Sequence, residues 1–199
     1  VKYFDNNILK IINRQQTYED VERVVLTARK LGYSSINFDL IFGLPLQTSS
    51  HIMSTFEKVN ELRPDRIAYY SYAHVPWSKP SQRAYSEKDL PKGYEKRYLY
   101  DLGKKLLNEA GYLDIGLDHF ALPSDYLYKS VRSGTLNRNF MGYTPFNTRL
   151  NLAIGASSIS DSWSAYIQNE KSIERYQERV EAGEFPIIKG HILTENDQI

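Results

Sequence analysis

The sequence predicts an α/β protein: a parallel sheet with helices packed outside it. Two patterns carry this expectation. Apolar residues recur at helical spacing in several segments, and short β-rich runs separate those segments, which is the alternation of βα units. The clearest of these runs, Ile36-Asn37-Phe38-Asp39-Leu40-Ile41-Phe42, is nearly continuous in apolar character instead of alternating, as suits a strand buried on both faces. Composition agrees. A chain of 199 residues, 41% hydrophobic and 25% charged, has the balance of an ordinary globular protein with a real core, and is read as a single domain over 1–199.

The elements follow in order. Thr17 caps a first helix, with Asp20 three positions on. Val21, Val24, Val25, Ala28 and Leu31 form its apolar stripe, and Gly32 stops it. The strand from Ile36 to Phe42 ends at Gly43-Leu44-Pro45. A second helix carries Ile52, Phe56, Val59 and Leu62 on one face and closes at Arg63-Pro64. Arg66 to Ala73 reads as the next strand and His74 to Pro91 as a long loop. A third helix runs from Lys92 to Ala110, with Leu99, Leu102, Leu106 and Ala110 aligned and Gly111 as its stop. Residues 112–117 suit a short strand. Asp118 to Thr148 is loop-rich, with a short helix near Tyr126 to Arg132. Leu150 to Ser160 reads as a further strand, and Ser172 to Gly183 as a final amphipathic helix. Right-handed connections would curl such a sheet toward a barrel or a doubly wound layer.

Charge and composition exclude several function classes. Lys+Arg is 25 and Asp+Glu is 24, so bulk charge does not suit a nucleic-acid binder. No apolar run approaches the roughly 18 residues of a membrane span, and Val1-Lys2-Tyr3-Phe4-Asp5 lacks a signal-peptide pattern. Cysteine is absent, which fits a reducing, cytoplasmic setting. Its absence also excludes disulfides, thiolate metal sites and an iron–sulfur cluster ligated from within these residues. With four His in total, a zinc site is not expected. The chain opens on Val, not Met, and is read as a piece of a longer protein.

Three residues stand out for chemistry. Asp39 interrupts the apolar strand. A buried carboxylate is costly unless bonded, so it is either a structural Asp tied to a neighbouring loop or a ligand contact near the strand's C-terminal end, where it could accept from both hydroxyls of a ribose. His74 lies just past the second strand and His119 near the end of another, which places all three at one rim of a sheet. Arg14 and Arg138 are either anion contacts or surface arginines. Ile154-Gly155-Ala156-Ser157-Ser158 is the small-residue segment that would let a backbone approach a ligand. Walker, GxSxG and HExxH motifs are absent.

Several segments together resemble one family: Asn13-Arg14-Gln15-Gln16; INFDLIFGLPLQT (36–48); RPDRIAYYSYAHVPW (63–77); GLDHFALPSD (116–125); TLNRNFMGYT (135–144); and IGASSIS (154–160). In order and spacing they resemble the oxygen-independent coproporphyrinogen III oxidases, radical S-adenosylmethionine enzymes of haem biosynthesis. The resemblance covers essentially the whole chain. It implies the second half of a partial (β/α)6 TIM-like barrel, parallel strands with outer helices, followed by the start of the C-terminal region.

The resemblance also implies chemistry. In the family a CxxxCxxC segment, missing here, holds a 4Fe-4S cluster that cleaves S-adenosylmethionine to a 5′-deoxyadenosyl radical. That radical abstracts hydrogen from two propionates of coproporphyrinogen III, and loss of carbon dioxide leaves the vinyl groups of protoporphyrinogen IX. A flavodoxin or ferredoxin is the implied type of electron donor. By matching motif, Arg14, Asp39, Ala73 and Ile159 would contact S-adenosylmethionine. Lys2 stands where the family has Gln, a cation in place of an amide. His74, His119 and Arg138 are the candidates for the substrate. Pro145-Phe146-Asn147-Thr148-Arg149 replaces the family's polar segment after GYT. No metal ligand is assigned within the chain. The isolated chain would be inactive and prone to self-association, because half a barrel exposes sheet edges and an apolar face. The alternative is a non-catalytic relative that binds and delivers haem or another tetrapyrrole.

Overall fold

A computed structural model describes residues 4–139 and 142–198, and Lys2 lies outside them. The chain divides into two compact units, Val1–Gly134 and Thr135–Ile199.

The first unit is α/β. Its helices are α1 (Asn6–Ile11), α2 (Tyr18–Lys30), α3 (Ser49–Leu62), α4 (Gly93–Glu109) and α5 (Tyr126–Arg132). Its strands are β1 (Asn37–Phe42), β2 (Arg66–Ser71), β3 (Leu113–Gly116) and β4 (His119–Ala121). They form one sheet in the order β1-β2-β4-β3. The expectation of an all-parallel sheet is corrected here. Only β1 and β2 pair in parallel, whereas β4 pairs antiparallel with both β2 and β3. The cause is local. Leu117 and Asp118 both have positive φ (46° and 63°), so the chain reverses within two residues and β4 inserts between β2 and β3. Strands β1, β2 and β3 still run the same way, as βα units require.

The core lies on one face of this sheet. Phe38, Leu40 and Phe42 of β1 and Ile67 and Tyr69 of β2 pack with Val21, Val25, Ile52, Phe56, Val59, Leu99 and Leu107 from α2, α3 and α4. Tyr69 sits at its centre, with ring centroids 4.9 Å from Phe42 and 5.6 Å from Phe56, and its hydroxyl donates to the Leu99 carbonyl (2.9 Å). Helix α4 comes close enough only because residue 103 is Gly: a Cβ there would lie 2.4 Å from the Tyr69 ring. Asp125 ties the layers together. Its carboxylate accepts from Arg66 Nε (2.7 Å), the Leu127 amide (2.6 Å) and Ser35 Oγ (2.7 Å).

Burial along β1 alternates. Phe38, Leu40 and Phe42 are buried, Asn37 and Asp39 are exposed, and Ile41 is intermediate. The expectation of a strand buried on both faces therefore gives way to a sheet whose second face is open in this chain.

The second unit is mainly antiparallel. Strands β5 (Asn137–Asn139) and β6 (Gly142–Thr144) pair with each other. β7 (Leu150–Asn151), β8 (Ile159–Ser162), β9 (Ala165–Asn169) and β10 (Ile187–Ile192) form a four-stranded sheet, order β10-β9-β8-β7, and α6 (Ile173–Glu181) joins β9 to β10. The single strand expected over Leu150–Ser160 is instead two strands separated by a loop. Gly155 and Ser157 take positive φ (105° and 63°), and the buried Asn169 donates from Nδ2 to the carbonyls of Ala153 and Gly155 (3.3 and 3.1 Å), which holds the loop folded.

Candidate active site

The open face of the first unit's sheet carries the most chemistry. In register, Asp39 lies beside Ala68, and Ala68 beside His119. Neighbouring residues in register share a face, so the Asp39 and His119 side chains flank Ala68, about 10 Å apart by two strand spacings. Tyr70, two residues along from Ala68, shares that face. Its hydroxyl lies 3.3 Å from His119 Nε2 and the rings meet edge to face at 5.7 Å. His119 Nδ1 lies 2.7 Å from the Leu117 carbonyl, which only accepts. Neutral His119 thus carries its proton on Nδ1 and receives the Tyr70 hydroxyl at Nε2. Burial, then the carboxylates of Asp39 and Asp118, push the Tyr70 phenol above its ordinary range.

Asp39 accepts from Asn37 Nδ2 at Oδ1 (2.9 Å), and its Oδ2 has no partner among the described residues. An exposed carboxylate with one free oxygen, beside an aromatic ring, is a fitting donor set for ribose hydroxyls. The sequence expectation of a buried Asp39 is corrected by this placement.

Beyond the strands, two loops are held by side-chain amides, one buried and one partly exposed. Gln47, 2% exposed, accepts the Gly43 and Leu44 amides at Oε1 (2.6 and 3.2 Å) and donates to the Ile41 carbonyl (3.3 Å). Gln82 accepts the Val75 amide (2.6 Å) and donates to the Ala73 carbonyl (3.2 Å). Ala73 is exposed on that second loop. His74 is not in the Asp39–His119 row; it packs between the rings of Tyr72 and Tyr85, whose hydroxyls bond to each other. Burial and that bond raise the Tyr72 phenol strongly.

Arg14 is exposed after α1, where Asn13 takes positive φ (51°). Its amide bonds the Leu9 carbonyl (2.8 Å), and its guanidinium has no partner among the described residues. In the second unit, Ile159 opens β8 and lines a cavity of about 350 Å³ with Tyr166 and His191. Arg138 is exposed on β5, paired in register with Tyr143. Among the described residues no group of three or more His, Asp or Glu could hold a metal ion.

Sequence reasoning missed Tyr70, Gln47 and Gln82. Tyr70 shows in the strand period, two residues from Ala68, once the faces are assigned. Gln47 sits in the quoted FGLPLQT segment, where a buried amide serving a glycine turn leaves no periodic signal.

The chain is 40% identical over 199 residues to the coproporphyrinogen III oxidase, anaerobic 1, of Cereibacter sphaeroides, covering all of this chain and 44% of that protein. It is 39% identical over 197 residues to the oxygen-independent coproporphyrinogen III oxidase of Helicobacter pylori, 43% of which it covers. Among solved structures it matches coproporphyrinogen III oxidase (HemN) from Escherichia coli, described as a radical SAM enzyme. The TM-score there is 0.90 at 36% identity, over 99% of this chain and 45% of that one. No protein-family model matches the sequence. The chain spans under half the length of these relatives. Over its whole length, this chain is similar in sequence and structure to part of the oxygen-independent coproporphyrinogen III oxidases.

Proposed function

We propose that these 199 residues are part of an oxygen-independent coproporphyrinogen III oxidase that converts coproporphyrinogen III to protoporphyrinogen IX by oxidative decarboxylation of two propionates. The observation that carries this reading is the end-to-end match to such oxidases, on a chain whose open sheet face holds Asp39 and His119 in register across Ala68, with Tyr70 beside them. The first unit is read as later strands and helices of a partial (β/α)6 barrel, and the second as the start of the C-terminal region, together one functional domain.

In this reading Asp39 accepts the ribose hydroxyls of S-adenosylmethionine and Arg14 binds the same cofactor. By matching motif, Ala73, Ile159 and Lys2 are each read as contacts of the same cofactor. His74, His119 and Arg138 contact the porphyrinogen. The donor set at Asp39 fits a ribose. The cluster does not fit this chain, which has no cysteine, so its ligands come from elsewhere in the parent protein. When bound to that cluster, S-adenosylmethionine supplies the hydrogen-abstracting radical. These residues alone are inactive, and a flavodoxin or ferredoxin would deliver electrons to the parent. No helix among the described residues is long and apolar enough to cross a membrane, and we assign the parent to the cytoplasm.

The test is S-adenosylmethionine binding by calorimetry to the full-length, cluster-loaded protein, wild type against Asp39→Ala. Loss of roughly tenfold or more in affinity, as expected for removing paired charge-assisted hydrogen bonds, supports the assignment. Unchanged affinity rejects it.

A further inference from the structure

Lys96 is a half-buried ammonium with no acidic partner among the described residues. It leaves α4, crosses over Gly43 and donates from Nζ to the Tyr72 carbonyl (3.0 Å). The crossing is tight: a Cβ on residue 43 would come 2.8 Å from Lys96 Cε, and Gly43 has φ +80°. Gly43 directly follows β1 and Tyr72 directly follows β2. The ammonium therefore stands at the C-terminal ends of two parallel strands, where α/β proteins place their ligands. Among the described residues no carboxylate comes within 4 Å of it. Glu87 is already on Lys92 (3.6 Å), and Asp118 lines a neighbouring cavity with Lys96 without pairing to it. A lysine withdrawn from water without a counter-ion is an unbalanced charge, and two of its three protons remain to be given.

That charge borders a cavity of about 280 Å³ lined also by Gly43, Tyr72, His74, Glu87 and Lys92. His74 shares the lining. Its Nδ1 is buried with no hydrogen-bond partner among the described residues, a polar atom left unsatisfied. The cavity offers one unpaired ammonium beside an imidazole ring, with the Glu87 carboxylate in its lining. This suits a single planar monoanion and disfavours a phosphate dianion.

We propose that Lys96 is the cationic anchor of a carboxylate subsite at the ends of β1 and β2, with the His74 ring beside it, and that this subsite holds one propionate of the porphyrinogen. The second part rests on the function proposed above.

The test uses the full-length protein, with Lys96→Met to keep the stem over Gly43, Lys96→Arg to keep the charge, and His74→Phe. Coproporphyrin III, the stable oxidised tetracarboxylate, is titrated by fluorescence beside its tetramethyl ester. Propionate alone is followed by saturation-transfer NMR. Lys96→Met is expected to weaken coproporphyrin III roughly tenfold, leave the ester and S-adenosylmethionine affinities unchanged, and abolish the propionate signal. Lys96→Arg is expected to stay within about threefold of wild type, and His74→Phe to fall between. Equal binding of coproporphyrin III and equal propionate signal in wild type and Lys96→Met overturn the subsite. So does displacement of propionate by inorganic phosphate at lower concentration. A Lys96-dependent propionate signal without coproporphyrin III binding keeps the subsite and rejects the porphyrinogen as its occupant, and with it the function proposed above.

Discussion

Replacing Asp125 with Ala should be among the most damaging single changes in the first unit. Its side chain is 1% exposed and holds three partners from three places: Arg66 on β2, the Leu127 amide in the first turn of α5, and Ser35 ahead of β1. Truncation leaves the Arg66 guanidinium, with 22% of its side chain exposed, without its partner. Breaking a buried pair costs about 3–5 kcal/mol, and the partial exposure of Arg66 places the loss near 3. Losing the cap of α5 adds about 1 kcal/mol. The sum, about 4 kcal/mol, is a large fraction of the 5–15 kcal/mol typical of a domain. In urea, with a slope of roughly 2 kcal/mol/M, the midpoint should fall by about 2 M at unchanged slope. Pairing Asp125→Ala with Arg66→Met removes the stranded charge and should recover at least about 1 kcal/mol. A loss below about 1 kcal/mol for Asp125→Ala, or no recovery in the double variant, would refute the argument.

Other outcomes follow from the same structure. Gly103→Ala should destabilise by about 1–3 kcal/mol through overpacking on Tyr69, although helix propensity alone favours Ala by about 1 kcal/mol; a raised thermal midpoint would contradict it. Gln47→Ala strands the Gly43 and Leu44 amides and should cost about 2–3 kcal/mol, read by urea unfolding. Tyr112, whose hydroxyl donates to the Pro64 carbonyl (2.6 Å), has its phenol pushed up to about 12, chiefly by burial. Between pH 10 and 12 the unfolded state ionises it first, so its contribution is full below pH 10 and fades as pH rises toward 12. Unfolding across that window should be less pH-dependent in Tyr112→Phe. In the isolated chain, the open sheet face and the exposed β10 edge, with Ile187, Ile188 and Ile192, should drive self-association; a monodisperse monomer by light scattering would oppose this.

Much of the first unit was legible because its signals are local. The Thr17 cap, the stripe from Val21 to Leu31 and the Gly32 stop mark α2, and the Asp20 amide does donate to Thr17 Oγ1 (3.1 Å). Ile52, Phe56, Val59 and Leu62 mark α3, and all four are buried. The antiparallel β4 was not legible. It is three residues long and depends on a reversal at Leu117-Asp118, a pair without the Asn-Gly or Asp-Gly signal of such turns. The second unit suffered similarly, since β5 to β9 are two to five residues long, too short to establish a period. Asp39 was singled out for the right oddity with the wrong burial. A near-continuous apolar run and an alternating one differ in β1 only by Asn37 and Asp39, and the tertiary fold alone decides which face is covered. The end of the DHFALPSD segment read as a family signature, but Asp125 serves there as cap and ion-pair partner. Tyr70 and Lys96 emerge only when strand faces and helix crossings are known.

The most direct test of the account is anaerobic reconstitution of the full-length protein, with product analysis from coproporphyrinogen III in wild type and Asp39→Ala. The account expects vinyl-bearing protoporphyrinogen IX and carbon dioxide from the wild type, and loss of both in the variant. A reconstituted wild type that forms no vinyl product, and instead binds haem with a shifted absorbance band, would contradict it.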